Sequence, residues 1–133
     1  MSDERRIPLN SDLDIVAARV EGRHLAREMG FGIIDQARIA TAISELARNA
    51  IAYARGGEIW LRRLEPNGRV GLQIVCQDQG PGIADAERIV EQGQMSSSEL
   101  GVGLPGTKRL MDEFEIHSEV GVGTTVIVCK WVR

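Results

Sequence analysis

Apolar residues recur at helical spacing in the first stretch of the chain. Residues 11–14, Ser-Asp-Leu-Asp, have the form of a capping box, and Gly30 is a suitable stop, so a helix is predicted between them. One apolar stripe of this helix is predicted to face the core, and a histidine within it is expected to be a hydrogen-bonded core residue. The stripe consists of Leu13, Ala17, Val20 and His24.

A second helical pattern begins near Asp35, which suits an N-cap, and ends before the glycine pair at 56–57. Glu45 and Asn49 are four residues apart, so their side chains stack one above the other. A carboxylate and an amide in this arrangement can reach one ion or water, although a solvated polar flank is the commoner meaning of such a pair. The predicted apolar face comprises Ile39, Ile43, Leu46, Ala50 and Tyr53.

Strand periodicity follows in two pairs of segments, each pair joined by a turn that contains glycine. This order predicts an α+β two-layer sandwich. Its sheet is expected to be mixed and mostly antiparallel, with the helices on one face and the other face free or used for association. The predicted strands are residues 7–9 at an edge, 58–64, 70–76, 115–120 and 124–132.

An acid and two glycines directly follow the strand predicted at 70–76. The sequence there is Asp78-Gln79-Gly80-Pro81-Gly82-Ile83. Glycine adopts φ > 0 readily and lets another group approach the main chain closely. A carboxylate at the end of a strand, followed at once by backbone that must bend sharply, predicts the floor of a ligand pocket.

A glycine-rich segment precedes the last predicted helix. Residues 85–92 are expected to form a short helix, and residues 93–106 a mobile segment before a helix over 107–114. The segment ends in Gly101-Val102-Gly103-Leu104-Pro105-Gly106. Glycines before a helix start expose N–H groups and the positive end of the helix dipole, which suits a phosphate. The match to G-x-G-x-x-G lacks a preceding buried strand and a βαβ unit, which excludes a Rossmann site.

Composition narrows the class of protein. The 133 residues are 43% hydrophobic and 26% charged, which predicts one domain spanning residues 1–133. The net charge is -3 and the basic residues are scattered, which argues against a nucleic-acid partner. Cys76 and Cys129 lie in predicted strands and are expected to be reduced core residues. No apolar run approaches the ~20 residues of a membrane span, so a cytoplasmic protein without a membrane partner is expected.

Four stretches in fixed order resemble the N, G1, G2 and G3 boxes of the GHKL ATPases, the group of gyrase, Hsp90, histidine kinases and MutL. They are Glu45 with Asn49, residues 78–82, residues 101–106 and residues 121–125. The resemblance covers about residues 35–130 and implies the Bergerat ATP-binding fold. In its short length the chain is similar to the anti-sigma-factor kinases. The local sequence around the boxes resembles that of RsbT-type serine/threonine switch kinases of stressosomes. The segments with this similarity are residues 14–19, residues 31–39, Ile43-Ser44-Glu45-Leu46-Ala47-Arg48-Asn49, residues 103–106, residues 108–114 and Lys130-Trp131.

The resemblance implies an ATP site whose adenine end is built around Asp78. The Asp78 carboxylate would accept a hydrogen bond from the adenine amino group. Gly80 and Gly82 would let the ring lie against the main chain. Thr125, or Thr124, would support Asp78 and the ring through a water.

The phosphate end is implied to lie opposite. Asn49 would ligate Mg²⁺ through its side-chain oxygen, and Glu45, one helical turn earlier, would be the general base of phosphoryl transfer. The glycines would cradle the phosphates, with Lys108 assisting. The other residues implied to bind the nucleotide are Ile83, Gly101, Val102, Gly103, Leu104 and Gly106.

Partners are implied by the resemblance alone. RsbT-type kinases phosphorylate STAS-domain proteins (RsbS/RsbR-like) and, when released, activate a PP2C-type phosphatase (RsbU-like). The alternatives are an anti-sigma-factor kinase that binds a sigma factor directly, and a non-catalytic module that uses nucleotide to set its shape. A weak homodimer is left open. His24 and His117 do not lie in a helical phosphoacceptor setting, which disfavours a histidine kinase.

Overall fold

The computed structural model describes residues 4–54, 56–86 and 103–133. Within these ranges the chain forms three α-helices, a short 3₁₀ helix (Pro66–Gly68) and five strands. The helices are α1 (Asp12–Met29), α2 (Ile33–Ala54) and α3 (Gly103–Leu110). The strands are β1 (Glu4–Leu9), β2 (Gly57–Leu64), β3 (Gly71–Asp78), β4 (Glu113–Glu119) and β5 (Gly123–Trp131).

The strands form one sheet in the order β1-β2-β3-β5-β4. Every neighbouring pair among them is antiparallel. The register of the central pair places Asp78, the last residue of β3, opposite Thr124 at the start of β5. The predicted α+β sandwich is therefore confirmed, and the end of β3 lies at the interior of the sheet and not at its edge.

The core lies between the helices and one face of the sheet. Because strand side chains alternate between faces, Ile59, Leu61, Ile74 and Val128 all point to the helices, and each is fully buried. The predicted apolar face of α2 meets them through Ile39, Ile43, Leu46 and Ala50, which are also buried. The helix face that was predicted from its spacing is therefore the face that the fold uses.

The prediction for α1 was wrong about the side that faces the core. Leu13 is 80% exposed and Val20 is 59% exposed, and His24 is an exposed residue beside Glu28. The buried side consists of small and aliphatic residues because α1 packs closely on α2. A Cβ added to Gly22 would lie 2.1 Å from Cδ1 of Ile43, so a larger residue there would require the Ile43 side chain to shift. The buried residues are Ile15, Ala18, Gly22, Leu25, Ala26 and Met29.

The boundaries of α1 agree with the capping prediction. The Asp14 carboxylate accepts hydrogen bonds from the backbone N–H groups of Asn10 (2.7 Å) and Ser11 (3.1 Å). Gly30 ends the helix in the left-handed conformation, with φ at 97°. Both ends of the helix are therefore defined by local sequence.

Helix α3 begins four residues earlier than predicted. It spans Gly103–Leu110 where 107–114 was expected, and Phe114 belongs to β4. Pro105 is compatible with this because a first-turn residue needs no N–H partner. At the other end, the buried Lys130 donates a hydrogen bond from Nζ to the carbonyl oxygen of Leu110 at 2.7 Å. This contact satisfies one of the free carbonyls of the helix end.

Two predictions fall largely outside the described residues. The helix expected at 85–92 and the mobile segment expected at 93–106 are described only for 85–86 and 103–106. In the described part of the chain, no helix combines the length and the apolar character needed to cross a membrane.

Candidate nucleotide site

A pocket opens where the C-terminal half of α2 faces the ends of β3 and β5. Its empty volume is about 470 Å³, and part of this volume is open to solvent. Most of its lining is apolar, and Asp78, Asn49 and Thr124 supply the polar groups. The lining residues are Leu46, Asn49, Ala50, Tyr53, Ala54, Cys76, Asp78, Pro81, Gly82, Ile83, Leu104, Thr124 and Val126.

Asp78 presents one oxygen to the protein and one to the pocket. Its Oδ1 accepts hydrogen bonds from the backbone N–H groups of Gly80 (2.9 Å) and Thr124 (3.3 Å). No partner of Oδ2 occurs in the described part of the chain. Burial raises the pKa of the Asp78 carboxyl, and these two backbone hydrogen bonds oppose the rise. The carboxylate is thus oriented by the backbone, with one acceptor left for a ligand.

Gly80 and Gly82 bring segments of the protein into contact with each other. A Cβ at Gly80 would lie 2.5 Å from Cβ of Ala54, and a Cβ at Gly82 would lie 2.3 Å from the carbonyl oxygen of Glu119. Gly82 also has φ at 78°, which favours glycine. Gly82 lines the pocket, whereas the crowded side of Gly80 faces α2.

Thr124 is the threonine that belongs to this pocket. It is buried, and its hydroxyl lies 2.7 Å from Oγ of Ser118, which also accepts a hydrogen bond from the N–H of Ile83 at 2.7 Å. Thr125 pairs with Gln77 and His117 on the opposite face of the sheet, because successive strand residues point to opposite sides. The structure therefore places Thr125 outside the pocket.

Asn49 has unused hydrogen-bonding capacity inside the pocket. Its Nδ2 is buried and has no hydrogen-bond partner, and no other described residue has a buried side-chain nitrogen or oxygen in that state. An amide oxygen is a ligand that Mg²⁺ accepts, and an amide N–H suits a phosphate oxygen. The residue therefore fits a group that binds from outside the chain.

Glu45 lies one turn before Asn49 but does not line the pocket. Its carboxylate forms an ion pair with Arg48 at 2.5 Å, and its side chain is 33% exposed. The two side chains predicted to stack are therefore separated by the pocket wall. The amide of Asn49 lies inside the pocket, and the carboxylate of Glu45 lies outside it.

Helix α3 closes one side of the pocket through Leu104, which is 3% exposed. Gly103 begins this helix, and Gly106 lies in its first turn, where an added Cβ would meet nothing within 4 Å. Lys108 is on the exposed side. Gly101 and Val102 lie outside the described residues. Of the part of the predicted glycine-rich segment that the structure describes, residues 103–106, Leu104 alone lines the pocket.

Sequence reasoning missed several wall residues. Tyr53 was assigned to the core, yet it is 37% exposed and lines the pocket, four residues after Asn49 on the same helix. Cys76 was assigned to the core and is buried, but it also lines the pocket, and burial raises the pKa of its thiol to about 12. The i to i+4 spacing from Asn49 was the signal that would have found Tyr53.

Asp78→Asn is expected to weaken ATP binding about 30-fold while the fold remains intact, since an unmatched buried polar group costs about 2 kcal/mol. The Asn oxygen would keep the two backbone hydrogen bonds of Oδ1. In the site that the resemblance implies, its NH₂ would then face the adenine amino group, which places one hydrogen-bond donor against another. Nucleotide titration measures the effect, with the exposed Asp12→Asn as the matched control. Equal affinities for the Asp78 and Asp12 variants would contradict the assignment.

The same variant has a pH signature in stability. The folded pKa of Asp78 is raised above 3.8, so its protonated form is favoured by folding. The stabilisation is present below pH 3.8 and is lost as the pH rises through the folded pKa. Thermal unfolding at several pH values should show Asp78→Asn gaining stability relative to wild type as the pH rises. A constant difference would argue against a raised pKa.

Comparison with known proteins identifies the domain. Residues 9–130 match the model of the histidine kinase-like ATPase domain. The serine/threonine-protein kinase RsbT of Bacillus subtilis is 50% identical over 133 residues, which is 100% of both chains. The anti-sigma F factor of Caldanaerobacter subterraneus is 28% identical over 121 residues, covering 86% of this chain and 83% of that protein.

Solved structures share the fold. A crystal structure of RsbU and RsbW domains from Mycobacterium tuberculosis matches with a TM-score of 0.64 at 21% identity, over 96% of this chain and 32% of that chain. The catalytic domain of the histidine kinase ThkA matches with a TM-score of 0.51 at 18% identity, over 96% and 95%. At these identities the likeness concerns the fold alone.

Proposed function

The chain belongs to the histidine kinase-like ATPase domain family, and within it to the RsbT-type serine/threonine protein kinases. From this membership we propose that it transfers the γ-phosphoryl group of ATP to STAS-domain proteins of a stressosome (RsbS/RsbR-like). We further propose that, when released from them, it binds and activates a PP2C-type phosphatase (RsbU-like). The observation that supports its nucleotide part is the pocket itself, where an oriented carboxylate and an unpartnered buried amide face one apolar cavity. The choice of partners rests on the 50% identity with RsbT.

Adenine recognition is assigned to the Asp78 end of the pocket. The free Oδ2 of Asp78 accepts from the amino group of the base, and a base without that donor leaves the carboxylate unmatched. The hydroxyl of Thr124 lies beside it within the Ser118 network, while Leu46, Ile83 and Val126 supply apolar contact area. Thr125 has no part in this assignment, because its side chain is on the other face of the sheet.

The phosphate end is assigned to Asn49 and the start of α3. Asn49 is the residue that would hold Mg²⁺, with its amide oxygen, and when bound the ion neutralises phosphate charge. Leu104 of α3 forms the wall on this side and limits access of water, while Lys108 is available from the exposed side of the same helix. Most of the catalytic effect of such a site comes from positioning and charge neutralisation.

Glu45→Gln tests the proposed general base. Removing the base is expected to lower the rate of phosphoryl transfer about 10²–10⁴-fold while ATP affinity stays near the wild-type value, because Glu45 lies outside the pocket wall. Arg48 forms an ion pair with the Glu45 carboxylate. Arg48→Gln is therefore the matched variant, because it breaks this ion pair and keeps the carboxylate. Single-turnover transfer with labelled ATP measures both. A Glu45→Gln enzyme with unchanged transfer would exclude the role.

The proposed function is tested directly by incubating the protein with labelled ATP and Mg²⁺ beside the STAS-domain proteins encoded near its gene. Label on a serine or threonine of one of these proteins is the expected result. Nucleotide binding without any labelled protein would favour the non-catalytic alternative, in which nucleotide only sets the shape of the chain.

A second candidate function is supported by the match to anti-sigma F factors, which covers most of both chains. In that case the chain would bind a sigma factor directly. A binding assay with purified sigma factors, run beside the STAS proteins and the phosphatase, separates the two. Tight binding of a sigma factor in place of the phosphatase would establish the second candidate.

A further inference from the structure

Helix α1 has an apolar side that faces solvent. Leu13 is 80% exposed, Val16 is 45% exposed and Val20 is 59% exposed. At 100° per residue these three side chains lie within one third of the helix circumference, opposite the buried face. Single exposed aliphatic residues are ordinary, but three at helical spacing on one element form a contiguous patch.

This patch lies away from the side of α1 that packs on the rest of the domain. The contacts of α1 with α2 use its other side, where Ala18, Gly22 and Ala26 are buried. Because the helix is already amphipathic through that side, solvent-facing positions have no structural need for leucine and valine. The patch therefore indicates a surface that another molecule covers.

The positive charges beside the patch indicate the charge that the partner's surface carries. Arg23 and Arg27 follow the apolar residues on the same side of α1, and Arg19 flanks them, all three exposed. None of the three makes an ion pair with any described residue, whereas Glu21 is held by Arg5 and Glu28 lies beside His24. In a chain of net charge -3, this is a local excess of unpaired positive charge.

A groove continues the patch onto α2. Ile33, at the start of α2, is 73% exposed and lines a surface depression together with Val20, Arg23, His24, Arg27 and Gln36. Ile33 is 16 residues before Asn49, which is roughly 24 Å along the helix axis at a rise of about 1.5 Å per residue. An occupant of the groove therefore leaves the nucleotide pocket accessible.

We propose that the exposed side of α1 and this groove form a docking surface for a partner protein segment that presents apolar side chains between carboxylates. The proposal rests on the proposed function in one respect, namely that the partner is the phosphatase that the chain binds without phosphorylating. The aliphatic residues supply the desolvated centre of the contact, and Arg23 and Arg27 pair with the carboxylates of the segment.

A second copy of the chain is a poorer occupant. Stable dimers bury about 800 Å² per partner, whereas the three apolar side chains of the patch together with Ile33 provide on the order of a few hundred Å². A patch of this size, bordered by unpaired arginines, is typical of a reversible contact with an acidic partner.

Two variants of the chain test the surface. Val20→Glu and Arg23→Glu are each expected to weaken binding of the purified phosphatase about tenfold or more. Arg69→Glu is the matched control, because it makes the same charge change where Arg69 stacks on Trp131 away from α1. Binding is measured at low and high salt, and ATP affinity is measured for each variant. The supporting result is loss of phosphatase binding in the two α1 variants alone, with ATP affinity unchanged.

Other outcomes overturn the docking surface. They are phosphatase binding by both α1 variants at wild-type affinity, absence of phosphatase binding by the wild-type chain, and a wild-type dimer in sedimentation that either variant makes monomeric. Phosphoryl transfer to the STAS proteins is measured in parallel. If transfer is absent while the α1 variants still lose the phosphatase, the kinase proposal fails and the docking surface stands.

Discussion

Asn49→Ala is expected to lower phosphoryl transfer about 10³-fold and to leave the stability of the fold unchanged or slightly higher. The loss follows because Asn49 places its side-chain amide inside the pocket and is the residue assigned to hold Mg²⁺. The stability expectation follows from its environment. Its Nδ2 is buried without a partner, so truncation removes an unsatisfied group, which costs about 1–3 kcal/mol when buried.

Alanine also has the higher helix propensity, by about 0.5 kcal/mol, which offsets part of the lost packing. The measurements are transfer of labelled phosphate and thermal unfolding, with the exposed Asn10→Ala as the matched control. A variant that transfers phosphate at the wild-type rate would exclude the metal role. A variant whose unfolding temperature is far below that of wild type would show that Asn49 is a structural residue. Its Nδ2 would then have a hydrogen-bond partner in solution.

The helices show what hydrophobic periodicity predicts and what it misses. In α2 the large aliphatic residues are the buried ones, and the predicted face was confirmed through Ile39, Ile43 and Leu46. In α1 one set of large aliphatic residues is solvent-facing, and the buried side combines three large residues with two alanines and one glycine. Periodicity locates an amphipathic helix, but it cannot tell which of two apolar stripes is covered by a close helix contact and which faces solvent.

In the candidate site, too, some features could be predicted from the sequence and others could not. The position of Asp78 at a strand end was predictable, because strand periodicity and a glycine pair surround it. The choice between Thr124 and Thr125 was not, since a one-residue change in register moves a side chain to the other face of a sheet. The start of α3 was missed because glycine and proline disfavour helix interiors, although both are tolerated in a first turn.

Gly82→Ala is expected to destabilise the protein by about 3 kcal/mol, which lowers its unfolding temperature by roughly 10 °C. Two effects add. Gly82 has φ at 78°, where an L-residue is strained by about 1 kcal/mol, and its Cβ would lie 2.3 Å from the carbonyl oxygen of Glu119. The carbonyl oxygen of Glu119 is a backbone atom. The clash can therefore be relieved only if the loop after β3 moves away from the β4–β5 turn.

Gly68→Ala separates the two effects. Gly68 has φ at 82°, close to that of Gly82, but a Cβ there would meet nothing within 4 Å. Its variant is therefore expected to lose only the conformational part, about 1 kcal/mol, with ATP affinity unchanged. Gly82→Ala should lose both stability and ATP affinity, because the residue that must move is part of the pocket wall. Equal unfolding temperatures for the two variants would mean that the approach of Gly82 to Glu119 is not a tight contact. The adenine end of the pocket would then not depend on it.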